Sequence, residues 1–455
     1  MNPSMRDPLT LADLIARSGP GARKIATRDH RLALADFAAN SPFGADRDRF
    51  AGRCVVLHVK DMAKAAAALI DLDGLARRIL MCPPGWDAEK TARGAALIEA
   101  DALAYDEESP VALKVDVALP VRLPITPRAA RAAPRVETEW VLPTSGTSGP
   151  PKLAVHTLTT LVGAIVDAPL QQWATFYDIR RYGGLQIFLR ALAGQGSLRL
   201  SSQDEPIEDF LDRVGAAGVT HMSGTPTHWR KALLSGAAAR IAPGYVRLSG
   251  EIADDSALRG LAQAFPAARI EHAYASTEAG VAFAVDDGRA GFPSAWLERR
   301  EPVAMKLVDG ALRVKTTRRA LRLLGESAPA LVDEDGFVDT GDMIEIRGDR
   351  CYFTGRRGGV INVGGAKVHP EEVEAVLNGL DGVRLSRVFA KASPITGAIV
   401  AAEIVLLTPT NEPRARERDL IAAARKMLPA HMTPARIRFV ADLPMTDAGK
   451  LRRHG

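Results

Sequence analysis

Cysteine is scarce in this chain: Cys54, Cys82 and Cys351 are the three in 455 residues. An odd number at wide spacing excludes a disulfide framework and a paired-cysteine zinc site, and it fits a reducing compartment. Cys54 and Cys82 lie in apolar, strand-like runs and read as core packing. The N-terminal Met1-Asn-Pro-Ser-Met-Arg-Asp7 lacks the apolar stretch of a signal peptide. No segment reaches the roughly 20 apolar residues of a membrane span, so a cytoplasmic protein is expected. Charge of one sign is not in large excess either. Lys and Arg number 59 against 54 Asp and Glu, a formal net charge of +5. No basic run is long enough for a nucleic-acid track. The short clusters Arg180-Arg181, Arg299-Arg300 and Arg356-Arg357 read as local sites or solvated faces.

What is present is ordinary for a globular chain, with 47% apolar and 25% charged residues. The length calls for two or three domains. The first third alternates strand and helix signals. Arg53–Val59 and Ile79–Cys82 read as strands, Asp61–Ile70 as an Ala-rich helix capped by Asp61, and Ala88–Ala100 as a second helix. That rhythm predicts a parallel sheet flanked by helices. Residues 119–136, rich in Pro, Arg and Ala, read as a surface connection. The alternation resumes over 153–285, where Trp229–Ala239 reads as a helix. From 303 to 354, short strands separated by Asp-Gly and Gly-Asp turns predict a small antiparallel sheet or barrel. A boundary is expected in the Gly-rich stretch after it. Pro370 then opens a helix with Glu371 and Glu372 in its first turn, within a small α+β domain.

Five segments carry chemistry. Thr144-Ser145-Gly146-Thr147-Ser148-Gly149-Pro150-Pro151-Lys152 combines hydroxyls, glycines and a lysine after an apolar run. Its backbone N–H groups can form a concavity for anions, with the side chains as further donors. It is not the Walker A pattern, because no Ser or Thr follows Lys152. Alone it also fits a plain Gly/Ser turn. Tyr274-Ala-Ser-Thr277-Glu278 ends a strand-like run, where Thr277 suits a phosphate and Glu278 suits Mg2+. A capped loop entering a helix fits equally. Asp335–Asp342 brings Asp342, an acceptor pair for a sugar diol, among turn residues. Gly355–Lys367 is glycine-rich at the expected domain junction and carries Arg356. Pro444–Lys450 places a lysine in a Gly turn.

In order, content and spacing these five segments resemble the acyl-adenylate-forming superfamily, which includes acyl-CoA synthetases, adenylation domains and firefly luciferase. The resemblance covers about residues 50–453. It implies an α/β N-terminal domain at 1–356 with a small β subdomain at about 300–354, and a mobile α+β C-terminal domain at 357–455. It implies ATP·Mg2+-dependent activation of a carboxylic acid to an acyl-AMP with release of pyrophosphate. The acyl group then passes to the thiol of CoA or of a carrier-protein phosphopantetheine. By position, Thr144, Ser145, Gly146, Thr147, Ser148, Gly149 and Lys152 would hold the β- and γ-phosphates. Gly250 and Glu251 would border the adenine and Tyr274 would stack near it. Thr277 would meet the α-phosphate and Glu278 the Mg2+. Asp342 and Arg356 would hold the ribose, and Lys450 would meet both carboxylate and α-phosphate. Lys367 falls where many relatives carry arginine.

Four departures qualify this. The hinge position carries Gly358, followed by Gly359. The aromatic-His segment is replaced by Tyr177-Asp-Ile-Arg180-Arg181-Tyr182-Gly-Gly184. Arg180 or Arg181 there can read a polar acid by a bidentate contact, or pair internally with Asp178. The stretch between Glu278 and Asp342 is short, and Trp229, Phe283 and Phe292 nearby serve equally as core. With residues ending soon after Lys450, the acceptor is expected in trans, as CoA or a separate carrier protein. A stand-alone carrier-loading enzyme and a non-catalytic nucleotide binder are the competing readings.

Overall fold

The computed structural model describes residues 8–17, 23–107, 111–129, 134–144, 152–163, 170–202, 204–325, 329–393, 397–445 and 451. Two large sheets lie at its centre. The seven-stranded sheet has the order Arg322–Leu324, Leu153–His156, Glu139–Pro143, Arg78–Met81, Cys54–His58, Ala102–Tyr105, Val117–Pro120. The eight-stranded sheet runs Gly280–Val285, Arg269–Ser276, Tyr245–Ser249, His221–Gly224, Gln172–Thr175, Ser197–Leu200, Lys24–Ala26, Arg31–Ala33. Both have parallel interiors, and antiparallel strands close one edge of the first and both edges of the second.

Helices Met62–Leu72 and Tyr182–Ala193 share one hydrophobic core with residues of both sheets. The first is the Ala-rich helix. Asp61 caps it by accepting from the Lys64 N–H at 2.8 Å, and Ala63 and Ala65–Ala68 are fully buried. Alanine combines the strongest helix propensity with the smallest width, so it suits a helix buried on nearly every side. On the far side of the eight-stranded sheet, helices Ile207–Ala216, Pro226–Leu234 and Asp255–Ala264 build a second core around Trp229, Met222 and Leu248. Helix Ala88–Leu97 packs with the seven-stranded sheet through Ala95. The result is a layered α/β body.

A five-stranded antiparallel sheet comes next, in the order Phe292–Pro293, Arg350–Arg356, Val338–Arg347, Ala311–Lys315, Ala304–Val308. Beyond it, the hairpin Ile361–Val363/Ala366–Val368, helices Pro370–Asn378 and Pro413–Arg425 and a three-stranded sheet form a separate core. Cys54, Cys82 and Cys351 are buried and free. Among the described residues no helix is long and apolar enough to cross a membrane.

Three local expectations are corrected. Residues 119–136 are not simply a surface connection: Val117–Pro120 is the edge strand of a sheet, Val121 is buried, and Thr126–Pro127 pairs with Asn40–Ser41. The helix read at Trp229–Ala239 ends at Leu234, and a 3-10 turn takes over after Gly236 adopts φ +73°. Thr277 and Glu278 do not enter a helix. They form the tight turn between the antiparallel strands Arg269–Ser276 and Gly280–Val285.

Candidate active site

The Gly/Ser segment connects two antiparallel strands. Its flanking strands, Glu139–Pro143 and Leu153–His156, pair antiparallel with Pro143 opposite Leu153. The Thr144 N–H donates to the Lys152 carbonyl at 2.9 Å and closes the neck. Strand Leu153–His156, not a helix, follows directly after Lys152, unlike the order of a strand–loop–helix phosphate site. Lys152 is exposed at the neck. Ser145–Pro151, and with them Ser145, Gly146, Thr147, Ser148 and Gly149, lie outside the described residues, as does Lys450.

A second group forms where the eight-stranded sheet meets the five-stranded one. Strand Arg269–Ser276 pairs in parallel with Tyr245–Ser249 and delivers the Thr277–Glu278 turn beyond its C-terminal end, the edge where open α/β sheets bind ligands. Three residues before the turn, the Tyr274 hydroxyl donates to Asp342 Oδ2 at 2.5 Å. Its ring stacks on Phe353 at 4.8 Å and on Phe283 at 5.4 Å. Burial, and next the Asp342 charge, push this hydroxyl well above its usual range, so it remains a donor. Asp342 Oδ1 accepts from Arg356 Nε at 2.9 Å, across paired strands of the five-stranded sheet. Each carboxylate oxygen has two acceptor positions, so each keeps one for a further donor. The Arg356 side chain stays 51% exposed. The negative charge of Glu278 is close enough to help hold its proton. Among the described residues no hydrogen bond or ion pair engages the Glu278 carboxylate, which is half-buried. A carboxylate open to solvent beside a nucleotide's phosphates suits Mg2+, which takes one or two carboxylates plus phosphate oxygens.

Gly250 sits in the left-handed region at φ +85°, just past the end of strand Tyr245–Ser249. Glu251 Oε2 accepts from the Thr227 N–H at 3.0 Å, in the first turn of helix Pro226–Leu234. Tyr177, buried, fixes the end of the same strand through its hydroxyl and the Ser249 carbonyl, 2.8 Å apart. Lys367 is exposed on the hairpin that packs with the C-terminal sheet, opposite Asn362. Among the described residues no hydrogen bond or ion pair joins it to Asp342 or Thr277.

Of the two readings of Arg180, the structure gives the internal pair with Asp178. This guanidinium is 1% exposed. Its Nε and Nη2 donate to the two Asp178 oxygens at 2.7 Å each, and Nη1 donates to the carbonyls of Val59 and Lys60. Those bonds leave it facing protein on every side, and the charge pair holds Asp178 ionised despite its burial. Gly184 packs closely on the same segment, since a Cβ there would collide with the Asp178 carbonyl oxygen. Arg181 is half-buried at the N-cap of helix Tyr182–Ala193, and Tyr182 is buried beside His156 with ring centroids 5.6 Å apart. Trp229 and Phe292 belong to cores.

Two residues at the site were not anticipated. His156 donates from Nε2 to the Thr277 carbonyl at 2.7 Å. Arg318 donates to the Leu161 carbonyl and to Gln186 Oε1, each at 2.7 Å. The only signal for His156 was a lone histidine ending an apolar strand just after the loop.

Comparison with known proteins agrees with this architecture. Solved structures of the same fold include the anthranilate CoA ligase AuaEII in complex with anthranoyl-AMP, at TM-score 0.78 and 17% identity, covering 98% of this chain and 96% of that one. Among curated proteins, the fatty acid–[acyl-carrier-protein] ligase MmaC of Mycobacterium marinum is 34% identical over 122 residues, 26% of this chain and 23% of that protein. The mitochondrial acyl-coenzyme A synthetase ACSM5 of Homo sapiens is 34% identical over 128 residues, 27% of this chain and 22% of that protein. These matches span about a quarter of the relatives' length. The profile of the AMP-binding enzyme C-terminal domain matches residues 372–450. The AMP-binding enzyme profile matches residues 60–315, more than half the sequence, and the chain belongs to that family.

Proposed function

We propose that this protein activates a carboxylic acid with ATP·Mg2+ to an acyl-AMP, releasing pyrophosphate, and then transfers the acyl group to a thiol. The observation that carries the reading is the convergence of Thr277, Glu278, Tyr274, Asp342 and Arg356 beyond the end of one strand, although 79 positions separate Thr277 from Arg356 in sequence (356 − 277). In this reading Thr277 donates to the α-phosphate and Glu278 holds Mg2+, whose chemistry is neutralisation of phosphate charge. Asp342 accepts from a ribose hydroxyl through a remaining acceptor position, and Arg356 donates to the sugar. Thr144–Lys152 grips the leaving phosphates. Gly250 lets the backbone turn close to the base, and Glu251 fixes that turn on the neighbouring helix. The attacking carboxylate is already ionised at neutral pH, so no general base is needed. Lys450 supplies positive charge to the developing transition state. The boundary between the nucleotide-binding unit and a mobile C-terminal unit is placed at Arg356–Arg357, where the five-stranded sheet ends.

ATP–pyrophosphate exchange across a panel of acids tests this. The wild-type chain exchanges with at least one acid. Lys450→Ala loses exchange by about a hundredfold or more while binding ATP. A wild-type chain inactive with every acid refutes the reading, and unchanged exchange in Lys450→Ala refutes that residue's role. CoA is the first acceptor to supply. Loading of a phosphopantetheinylated carrier protein is the second reading, favoured because MmaC is by name an acyl-carrier-protein ligase.

A further inference from the structure

The strands flanking the Gly/Ser segment and the Thr277–Glu278 turn belong to different sheets, yet in the ligase reading both act on one triphosphate. The connection is local. Strand Leu153–His156 leaves the loop and ends at His156, which is fully buried. Its Nε2 lies 2.7 Å from the Thr277 carbonyl, which only accepts, so Nε2 carries the proton. Nδ1 is then an acceptor for the Thr160 hydroxyl at 3.0 Å. Burial holds the imidazole's pKa down to about 4, so the ring is neutral and keeps one donor and one acceptor. The other carbonyl of the turn is held from the same side. Glu278 O accepts from the Ala320 N–H at 2.9 Å, and the next residue's N–H, on Leu321, donates to Val155 O at 2.7 Å. Strand Arg322–Leu324 then pairs with Leu153–Val155. Gly280, at φ +77°, admits this approach, because a Cβ there would collide with the Arg318 carbonyl oxygen.

We infer that His156 is a positioning residue that clips the Thr277–Glu278 turn to the strand leaving the phosphate loop, and so sets the spacing between the groups meeting the α-phosphate and those meeting the β- and γ-phosphates. The inference rests on the ligase reading above. Its side chain touches neither nucleotide nor acid, and it acts through the Thr277 backbone. A misplaced turn lowers turnover more than ground-state binding, because geometry in the transition state is what is lost.

Three variants test it. In His156→Gln the amide nitrogen can reach the Nε2 position and donate to Thr277. In His156→Asn the donor falls short, and in His156→Phe ring volume is kept and the donor removed. Expected for Asn and Phe is a fall in exchange kcat of about 30-fold to 100-fold with KM for ATP changed less than about threefold. Gln is expected to recover to within about fivefold of wild type. Hydrogen exchange of the peptide 269–285 gives a readout independent of catalysis: faster in Asn and Phe, near wild type in Gln. Equal kcat in all three variants overturns the inference, as does unchanged hydrogen exchange in Asn and Phe. A uniform loss with no Gln recovery also overturns it. If the wild type exchanges with no acid, the ligase reading fails first, and the hydrogen-exchange comparison alone decides the clip.

Discussion

Two arginine-bearing segments invite comparison, Tyr177–Gly184 and the Asp342–Arg356 pair. Both place a guanidinium against a carboxylate near a strand end. In the first, Arg180 is enclosed, its donors are engaged by Asp178 and two carbonyls, and Gly184 lets the chain close over them. In the second, Arg356 meets Asp342 through Nε, and half its side chain remains in solvent. A buried ion pair whose every guanidinium nitrogen is bonded is architecture, whereas a partly engaged pair beside a free carboxylate is available to a ligand.

The largest expected effect breaks the first member. Arg180→Ala leaves the Asp178 carboxylate buried without its cation and costs about 3–5 kcal/mol. Urea melts should register this, while the ratio of exchange rates among acids stays unchanged in the folded fraction. A fully stable Arg180→Ala with altered acid preference would reverse the comparison. The second member should respond in the opposite sense. Arg356→Ala is expected to lower exchange kcat/KM for ATP roughly ten- to a hundredfold and to shift stability by less than about 1 kcal/mol. Next, Gly184→Ala forces a methyl against a carbonyl and should cost about 1–3 kcal/mol, again measured by denaturation with acid preference preserved.

The fourth prediction concerns pH. His156 and His228 are buried, and desolvation lowers both to about 4; repulsion from Arg318 and Lys231 respectively adds to it. The unfolded chain, with histidines near 6.5, then binds more protons between these values. Their contribution is fully present above about 6.5 and is lost as pH falls toward about 4, at up to about 1.4 kcal/mol per pH unit for each. Thermal melts from pH 7 to 4.5 should show the decline, and His228→Gln should flatten it. Smallest is Tyr274→Phe, which removes one donor from Asp342 while keeping the ring stack. A change of about 1 kcal/mol, near fivefold in KM for ATP, is expected by exchange kinetics.

Much of the fold was legible because its signals are local. Asp61 preceding an Ala-rich run gave the central helix, Pro370 with two glutamates gave the C-terminal one, and Asp-Gly and Gly-Asp turns gave the antiparallel sheet. The edge strand Val117–Pro120 was hidden by the Pro- and Arg-rich segment after it, since an edge strand needs few apolar residues. The hairpin at Thr277–Glu278 was missed because Thr and Glu also suit a helix cap. Whether a helix or a strand comes after them is decided by pairing with Arg269–Ser276.

The amino-acid sequence by itself determined the layered α/β class, the helix caps and the chemical type of each candidate group, because periodicity, capping and side-chain chemistry act within a few residues. Tertiary structure decided which of those groups stays open to a ligand. Arg180 and Arg356 are alike in sequence, but long-range packing encloses one against Val59 and Lys60 and leaves the other beside solvent. It also decided that His156, 121 positions from Thr277, would hold the turn, because burial and hydrogen-bond partners across two sheets are properties of the folded chain.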